Sequence, residues 1–207
     1  MSLQKNILVL CALAAIMTVY IAAASGPSDY KKKWVILKEC TVRVNGSTNV
    51  NKFTCTVPAY PNSDTLTCLI KNSNNPVVIM NGHMAFPILS FDCVNTMMTK
   101  DLRKTLKEKE FPIFGIHFIS LERYPVLKST QESITGIVNI ELAGVKKQLE
   151  INYKISMDDQ GIIQLTGTQS IHFSDFNLAA PRKLGGMIRA NDRLDVEFII
   201  KCRVVKP

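Results

Sequence analysis

The chain has 207 residues, of which 46% are hydrophobic and 20% charged, and its formal net charge is +8. This composition excludes a disordered, fibrous or low-complexity protein and allows one domain, or a small pair, with a sizeable core. No internal repeat of solenoid or propeller length is present in the sequence.

The first residues have the features of a secretory signal peptide. Lys5 precedes an apolar run over residues 7–24, and small residues crowd the exit of that run, which favours cleavage. We therefore predict a signal peptide over 1–25, a linker over 26–33 and one domain over 34–207, in a periplasmic or secreted protein. The alternative is an uncleaved membrane anchor, because the apolar run is long enough to span a bilayer.

Five cysteines follow this segment, and in an oxidising compartment pairs among them should form disulfides. Cys55 and Cys68 flank the turn PNSD at nearly equal distance, which predicts a hairpin that brings them together. Cys40 and Cys202 meet only if the first and last strands are neighbours. Cys93 is then the spare thiol or a competitor for Cys55. No Cys-x-x-Cys pair is present and no cysteine lies near a histidine at ligand spacing, so no metal site is expected.

Most of the remaining chain is typical of β-strands separated by turns. In the last strand, alternate residues from Leu194 to Val204 are apolar and share one face, as a half-buried strand requires. Eight or nine consecutive antiparallel strands indicate a sandwich or an up-and-down barrel. The predicted strands cover residues 34–44, 51–57, 64–70, 84–91, 111–121, 134–143, 145–156, 161–173 and 192–205.

One segment breaks the β pattern. Residues 94–111 carry apolar side chains at four-residue steps, including Leu102 and Leu106, which predicts an amphipathic helix of about four turns, capped by Asn95 or Thr96. We interpret this helix as a lid packed on one end of the sheet. The alternative is a membrane-surface or gating helix, favoured by its basic residues but weakened by the acidic residues among them.

Four stretches of the chain form a pattern by their order and spacing: FDCVNTMMTKDLRKTLKEKEFPIFGIHF, ITGIVNIELAGVKKQLEI, LTGTQSIHFSDFNLAAP and GGMIRANDRLDVEFIIK. In this order and spacing they resemble the YceI-like family, and together they extend the resemblance over about residues 34–205. The resemblance implies a lipocalin-like antiparallel barrel that binds long apolar chains, such as isoprenoids, isoprenoid quinones or fatty amides, without turning them over. The sequence departs from the family in its extra cysteines and in Val94, where the family has a histidine.

Alternation along the strands identifies candidate side chains for the barrel lining. A barrel of about eight strands has an interior just wide enough to be filled by side chains or to hold one ligand. Alternation alone does not tell a cavity wall from plain core. The candidates are Ile116, Phe118, Val138, Ile140, Leu149, Ile151, Leu165, Phe173, Phe198 and Ile200.

The segment 174–193 is predicted to be a long connection at the barrel rim, bent at its proline and glycines. Its candidate rim residues are Phe176, Arg182 and Lys183. Phe176 and Leu178 can turn inward to cap the core. The two basic side chains are either solvated or placed to contact a polar or phosphate head group at the mouth.

Other functional classes fit the sequence less well. The three histidines, His83, His117 and His172, belong to no catalytic motif, so neither an enzyme nor a required cofactor is predicted. The basic residues are scattered and form no stripe with aromatic side chains, which argues against nucleic acid. Anionic lipid head groups at a membrane surface suit the positive charge better.

We therefore predict an exported, single-domain antiparallel barrel with one helix, which binds an isoprenoid or another amphiphile with a long apolar chain. The alternative is a filled barrel that acts as a secreted or surface interaction protein without a small ligand. The volume of the interior distinguishes them. The oligomeric state stays open, with a dimer among the possibilities.

Overall fold

Eleven of the thirteen strands form one antiparallel barrel, which carries a single α-helix, and the other two, Arg182–Lys183 and Ile188–Arg189, form a separate hairpin, as seen in a computed structural model that describes residues 29–71 and 76–205. The helix, α1, spans Thr96–Thr105. The predicted signal peptide lies outside the described residues. Within them, no helix is long and apolar enough to cross a bilayer. The strands are β1 Tyr30–Ile36, β2 Thr41–Ser47, β3 Lys52–Val57, β4 Thr65–Ile70, β5 Val78–Asn81, β6 His83–Pro87, β7 Ile113–Leu121, β8 Glu132–Leu142, β9 Val145–Met157, β10 Ile162–His172, β11 Arg182–Lys183, β12 Ile188–Arg189 and β13 Arg193–Val205.

The barrel closes because the first strand pairs with the last. Neighbouring strands follow the order β1, β4, β5, β7, β8, β9, β10 and β13, and β13 returns to β1 through pairs such as Ile36 with Cys202. This arrangement confirms the predicted up-and-down barrel and excludes the sandwich. β1 already begins at Tyr30, whose partner is Ile70. The predicted linker over 26–33 was therefore wrong for its last four residues, which pair with β4.

Three of the barrel strands are bent, so that each counts as two elements. β1 and β2 both pair with β13, but residues 37–40 leave the ladder between them. The predicted continuous strand 34–44 was therefore wrong at this break. β5 and β6 bend in the same way at Gly82, where a Cβ would lie 2.6 Å from Cδ2 of Leu66 and 2.8 Å from the carbonyl oxygen of Thr65. Only glycine permits that approach.

The predicted Cys40–Cys202 disulfide was wrong although β1 and β13 are neighbours, because Cys40 lies in the break after β1, where its thiol donates to the carbonyl of Leu37 at 3.0 Å. The break between β3 and β4 explains why the predicted Cys55–Cys68 disulfide was also wrong. Cys55 on β3 and Cys68 on β4 belong to two halves of one bent strand, not to the two arms of a hairpin. Cys55 instead pairs with Cys93, the competitor noted in the sequence. Cys68 lies opposite Lys32 and Met80. The thiols of Cys40, Cys68 and Cys202 are free and buried.

Two connections span a gap between β3 and β6, which do not pair with each other. Thr56 and Asp92 exchange two backbone hydrogen bonds, of 2.7 and 2.9 Å. The Cys55–Cys93 disulfide lies beside them. The segment that leads into α1 therefore fills the barrel wall between β3 and β6. Helix α1 is positioned over the opening at this end, which we call the helix end.

Helix α1 is shorter than predicted. Its cap is Asn95, whose side chain accepts hydrogen bonds from the backbone N–H groups of Met97 and Met98. It ends at Thr105 because Lys107 adopts a left-handed conformation, with φ of 55°, so the predicted extension to 111 was wrong. Leu102 and Leu106 are buried against the barrel. This packing agrees with the lid interpretation.

The other end of the barrel, which we call the far end, is filled by large side chains. It contains Tyr30 and the connections that follow β7 and β9. Trp34 is fully buried there, and its indole N–H donates to the hydroxyl of Tyr124 at 3.2 Å. The most deeply buried side chains of the barrel include Trp34, Leu66, Leu121, Ile134, Tyr153, Ile155 and Ile163.

Candidate functional site

An apolar cavity of about 80 Å³ lies inside the barrel at the helix end, beneath α1. Gln169 is the one polar residue of its wall. Leu102 and Leu106 of α1 form the roof. The full lining is Val42, Val44, Phe91, Leu102, Leu106, Phe114, Ile116, Ile140, Leu142, Leu149, Ile151, Gln169, Ile171, Leu194, Val196 and Phe198.

The alternation of the strands places these side chains. Successive residues of a strand point to opposite faces, so every second residue of β9 and β13 reaches the interior. Leu149 and Ile151 therefore share the cavity wall on β9, as Leu194 and Phe198 do on β13. Glu150, between the first two, is exposed on the outer face.

The ten predicted lining residues divide between the cavity and the solid core. Ile116, Ile140, Leu149, Ile151 and Phe198 line the cavity. The other five are buried but do not reach it: Phe118, Val138, Leu165, Phe173 and Ile200. Four of these pack in the solid core, and Phe173 lines a groove outside the cavity.

Sequence reasoning missed the roof and one wall. Leu102 and Leu106 lay on the recognised apolar face of the helix, but nothing in their spacing showed that they cover a void. Val42 and Val44 of β2 alternate like the other lining residues and were the available signal for that wall.

A groove of about 240 Å³ lies outside the cavity, between α1, the β2–β3 turn and the segment after β10. Leu102 lines both spaces and separates them. Lys183 forms an ion pair with Asp101 across the groove. The turn is tied to the opposite wall by Asn49, which donates to the carbonyl of Met187 at 2.8 Å.

The candidate rim residues have different positions. Phe176 is only 1% exposed and packs in the core, at the end of a short 3₁₀ turn over Phe173–Phe176, so it turns inward as expected and is not exposed to a head group. Leu178 is buried beside it. Arg182 is exposed on β11, and Lys183 lines the groove.

The histidines lie on the outer surface. The rings of His83 and His117 stack with their centroids 5.7 Å apart, and Nε2 of His117 is 3.4 Å from a carboxylate oxygen of Glu141. His172 lies beside Asp175. In residues 29–71 and 76–205, no cluster of His, Cys, Asp and Glu is placed to hold a metal ion. The chemistry available at the helix end is therefore apolar contact, with charged groups at the outer edge.

Comparison with solved structures identifies proteins that share this fold. No protein-family model matches the sequence, and no curated protein matches it. A polyisoprenoid-binding domain from Saccharophagus degradans, implicated in plant cell wall breakdown, aligns over 84% of this chain and 98% of its own, with a TM-score of 0.58 and 8% identity. BcnA from Burkholderia cenocepacia aligns over 81% of this chain and 96% of its own, with a TM-score of 0.55 and 13% identity. The chain therefore has the fold of these proteins.

Proposed function

We propose that the protein binds the apolar chain of an amphiphile, such as an isoprenoid, an isoprenoid quinone or a fatty amide, at the helix end of its barrel. The observation that carries this proposal is the apolar cavity beneath α1, which shares the side chain of Leu102 with an open groove. An apolar void with a path to the surface is the usual form of a site for an apolar ligand.

The size of the two spaces indicates how such a chain enters. A cavity of about 80 Å³ is smaller than the roughly 150 Å³ cavity that takes up benzene, so it does not hold a long chain as it stands. Cavity and groove together reach the lower end of the roughly 300–1,000 Å³ typical of ligand pockets. Binding therefore requires Leu102 to move, which joins the two.

The polar contact on the groove side of α1 opposes this movement only weakly. The Lys183–Asp101 ion pair is one-third exposed on both sides, and ion pairs at the surface contribute about 0–1 kcal/mol. Arg103 donates to the carbonyls of Leu89 and Phe91, at 2.6 and 2.8 Å, and anchors the opposite side of the helix. The helix can therefore tilt on its Arg103 side while the groove opens on its Lys183 side.

The comparisons support the same class of ligand. The Saccharophagus degradans structure is described as a polyisoprenoid-binding domain, and its fold is that of this chain. A shared fold does not by itself transfer a ligand. The lining residues of this chain supply the second support, because they are apolar almost throughout.

We also propose that the protein is exported to an oxidising compartment. The Cys55–Cys93 disulfide supports this, since disulfides persist outside the reducing cytosol. The signal-peptide pattern of residues 1–25 supports it independently.

A filled barrel that acts through its surface is the second candidate. The solid packing of the far end favours it, because Trp34 and Tyr153 leave no room for a chain to pass through the whole barrel. If this candidate holds, the cavity is a packing defect and no apolar molecule occupies it.

Binding of a fluorescent polyprenol analogue to the purified protein distinguishes the two candidates. Leu149→Trp places a large side chain in the cavity, while Glu150→Trp places the same side chain on the outer face of the same strand. We expect saturable binding by the wild type and by Glu150→Trp, and at least tenfold weaker binding by Leu149→Trp. No binding by any form, or equal binding by both variants, would contradict the proposal.

A further inference from the structure

The positive charge of the protein is concentrated around the groove. Three segments surround it: the β2–β3 turn with its flanks, 47–53; helix α1 with its end, 96–107; and the segment 177–190. Together they contain eight Lys and Arg residues and a single acidic residue, Asp101, in a chain whose net charge is +8. Asp101 is paired with Lys183, and six of the remaining basic side chains are exposed. Beside the basic side chains of the helix, the turn after α1 adds one basic and two acidic residues: Lys109, Glu108 and Glu110. We call the surface of these three segments the mouth face.

Each of the three segments also exposes one large apolar side chain. Val50 is 60% exposed, Met97 64% and Met187 75%. These side chains flank the groove, which is itself lined by Val50 and Met97. Exposure of such side chains to water is unfavourable. Three of them around one groove form an apolar patch that is surrounded by basic residues.

The mouth face is held together as one surface. Thr48 and Ala190 form an isolated β-bridge between the turn and the segment 177–190. The backbone N–H of Arg189 donates to the side chain of Asn49 at 2.9 Å. These contacts hold the β2–β3 turn and the segment 177–190 together, and the Lys183–Asp101 ion pair connects them to α1.

We propose that the mouth face docks on the surface of an anionic lipid bilayer. The apolar side chains of Val50, Met97 and Met187 enter the boundary between head groups and acyl chains, while the surrounding Lys and Arg side chains lie at the level of the phosphates. This combination is how proteins bind at membrane interfaces without spanning them.

The chemistry of the face favours a bilayer over an acidic polymer. Nucleic acid is held by exposed aromatic side chains together with basic ones. The one aromatic residue of the mouth face, Phe53, is half-buried and packs over Gly46. An acidic polymer also makes no use of three exposed apolar side chains, whereas a bilayer buries them.

Docking places the groove against the lipid, where an apolar chain can pass into the barrel without crossing water. The inference rests on the proposed function in this respect only. Docking itself is measured with ligand-free protein on vesicles, and binding of the polyprenol analogue is measured in solution without vesicles. Either can therefore fail while the other succeeds.

An environment-sensitive fluorophore on a single cysteine reads out which end of the barrel touches lipid. Met187→Cys carries it on the mouth face, and Val126→Cys carries it on an exposed position at the far end. Both are made in the full chain with Cys11→Ser, and the free cysteines of the barrel are buried and do not compete for label.

On vesicles of equal parts phosphatidylcholine and phosphatidylglycerol, the Met187→Cys label should shift to the blue and gain intensity, and the Val126→Cys label should not. Vesicles of phosphatidylcholine alone should bind more weakly. Lys104→Gln should reduce affinity for the mixed vesicles about fivefold, whereas Lys31→Gln, at the far end, should leave it unchanged.

Three results would overturn the proposal. One is no response of the Met187→Cys label to the mixed vesicles. Another is an equal response at Val126→Cys. The third is a response of the mouth label to a single-stranded oligonucleotide or to polyglutamate but not to vesicles, which would assign the face to an acidic macromolecule.

Discussion

The Cys55–Cys93 disulfide spans the gap between β3 and β6, so its removal should measure how much that connection contributes to stability. The bridged cysteines are 38 residues apart in sequence. The loop-closure entropy of a segment of that length corresponds to about 4 kcal/mol at 25 °C. With a urea dependence of about 2 kcal/mol per molar for a domain of this size, reduction should lower the unfolding midpoint by roughly 2 M urea.

Urea unfolding with and without reductant, followed by the fluorescence of the single tryptophan, Trp34, tests this value. Cys93→Ala should lower stability and remove the effect of reductant. Cys68→Ala also loses a buried cysteine, but it should keep the full effect of reductant. If reductant changes stability by less than about 1 kcal/mol, the disulfide does not close the barrel. If Cys68→Ala, rather than Cys93→Ala, abolishes its effect, the bridge joins Cys55 to Cys68 instead.

Three further changes probe the interior. Gly167→Ala would place a Cβ 2.4 Å from Cε2 of Phe198, so we expect the free energy of unfolding to fall by about 1–3 kcal/mol, as measured by thermal unfolding. An unchanged free energy of unfolding would contradict the packing described. Leu102→Ala should destabilise the protein by about 2–5 kcal/mol but tighten binding of the polyprenol analogue, because it joins cavity and groove; weaker binding by folded protein would refute their continuity. Burial raises the pKa of Cys68 from 9.0 to about 12, so the folded state retains a proton that the unfolded state loses first. Stability from this thiol should be complete below pH 9.0 and decline by about 1.4 kcal/mol per pH unit as the pH rises towards 12. Because burial also raises the pKa of Cys40 and Cys202, the slope of stability with pH in Cys68→Ala, followed by urea midpoints, should be shallower by this amount and not absent.

The strand pattern was predictable because a closed barrel imposes one rule on every strand. One face packs inward and the other meets water, so apolar residues must alternate. The run from Leu194 to Val204 shows this directly, and the whole of it lies within β13. The start of α1 was equally readable, since an asparagine cap satisfies backbone N–H groups that would otherwise lack partners.

The disulfide could not be predicted, because it depends on where strands break. In the sequence, Cys55 and Cys68 lie symmetrically about a predicted turn. Residues 58–63 instead connect the two halves of one bent strand, and the chain does not reverse its direction there. Strand β5 was also missed, because only four residues, Val78–Asn81, pair before the bend at Gly82. So short a strand gives too little alternation to recognise.

The site was only half predictable for a related reason. Alternation identifies which side chains point inward, but not how far along the barrel axis the packing is complete. Ile116 and Phe118 share one face of β7, yet only Ile116 reaches the cavity. What decides between them is the side chain opposite, on strands distant in sequence.

The most direct test of the central claim is to ask what the protein carries. Wild-type protein and the Leu149→Trp and Glu150→Trp variants are purified from the compartment where the protein is made and matures, extracted with organic solvent and analysed by mass spectrometry. We expect one class of molecule with a long apolar chain to accompany the wild type and Glu150→Trp, and to be depleted from Leu149→Trp. If no apolar molecule accompanies the wild type, and none binds when offered, the barrel is not a carrier.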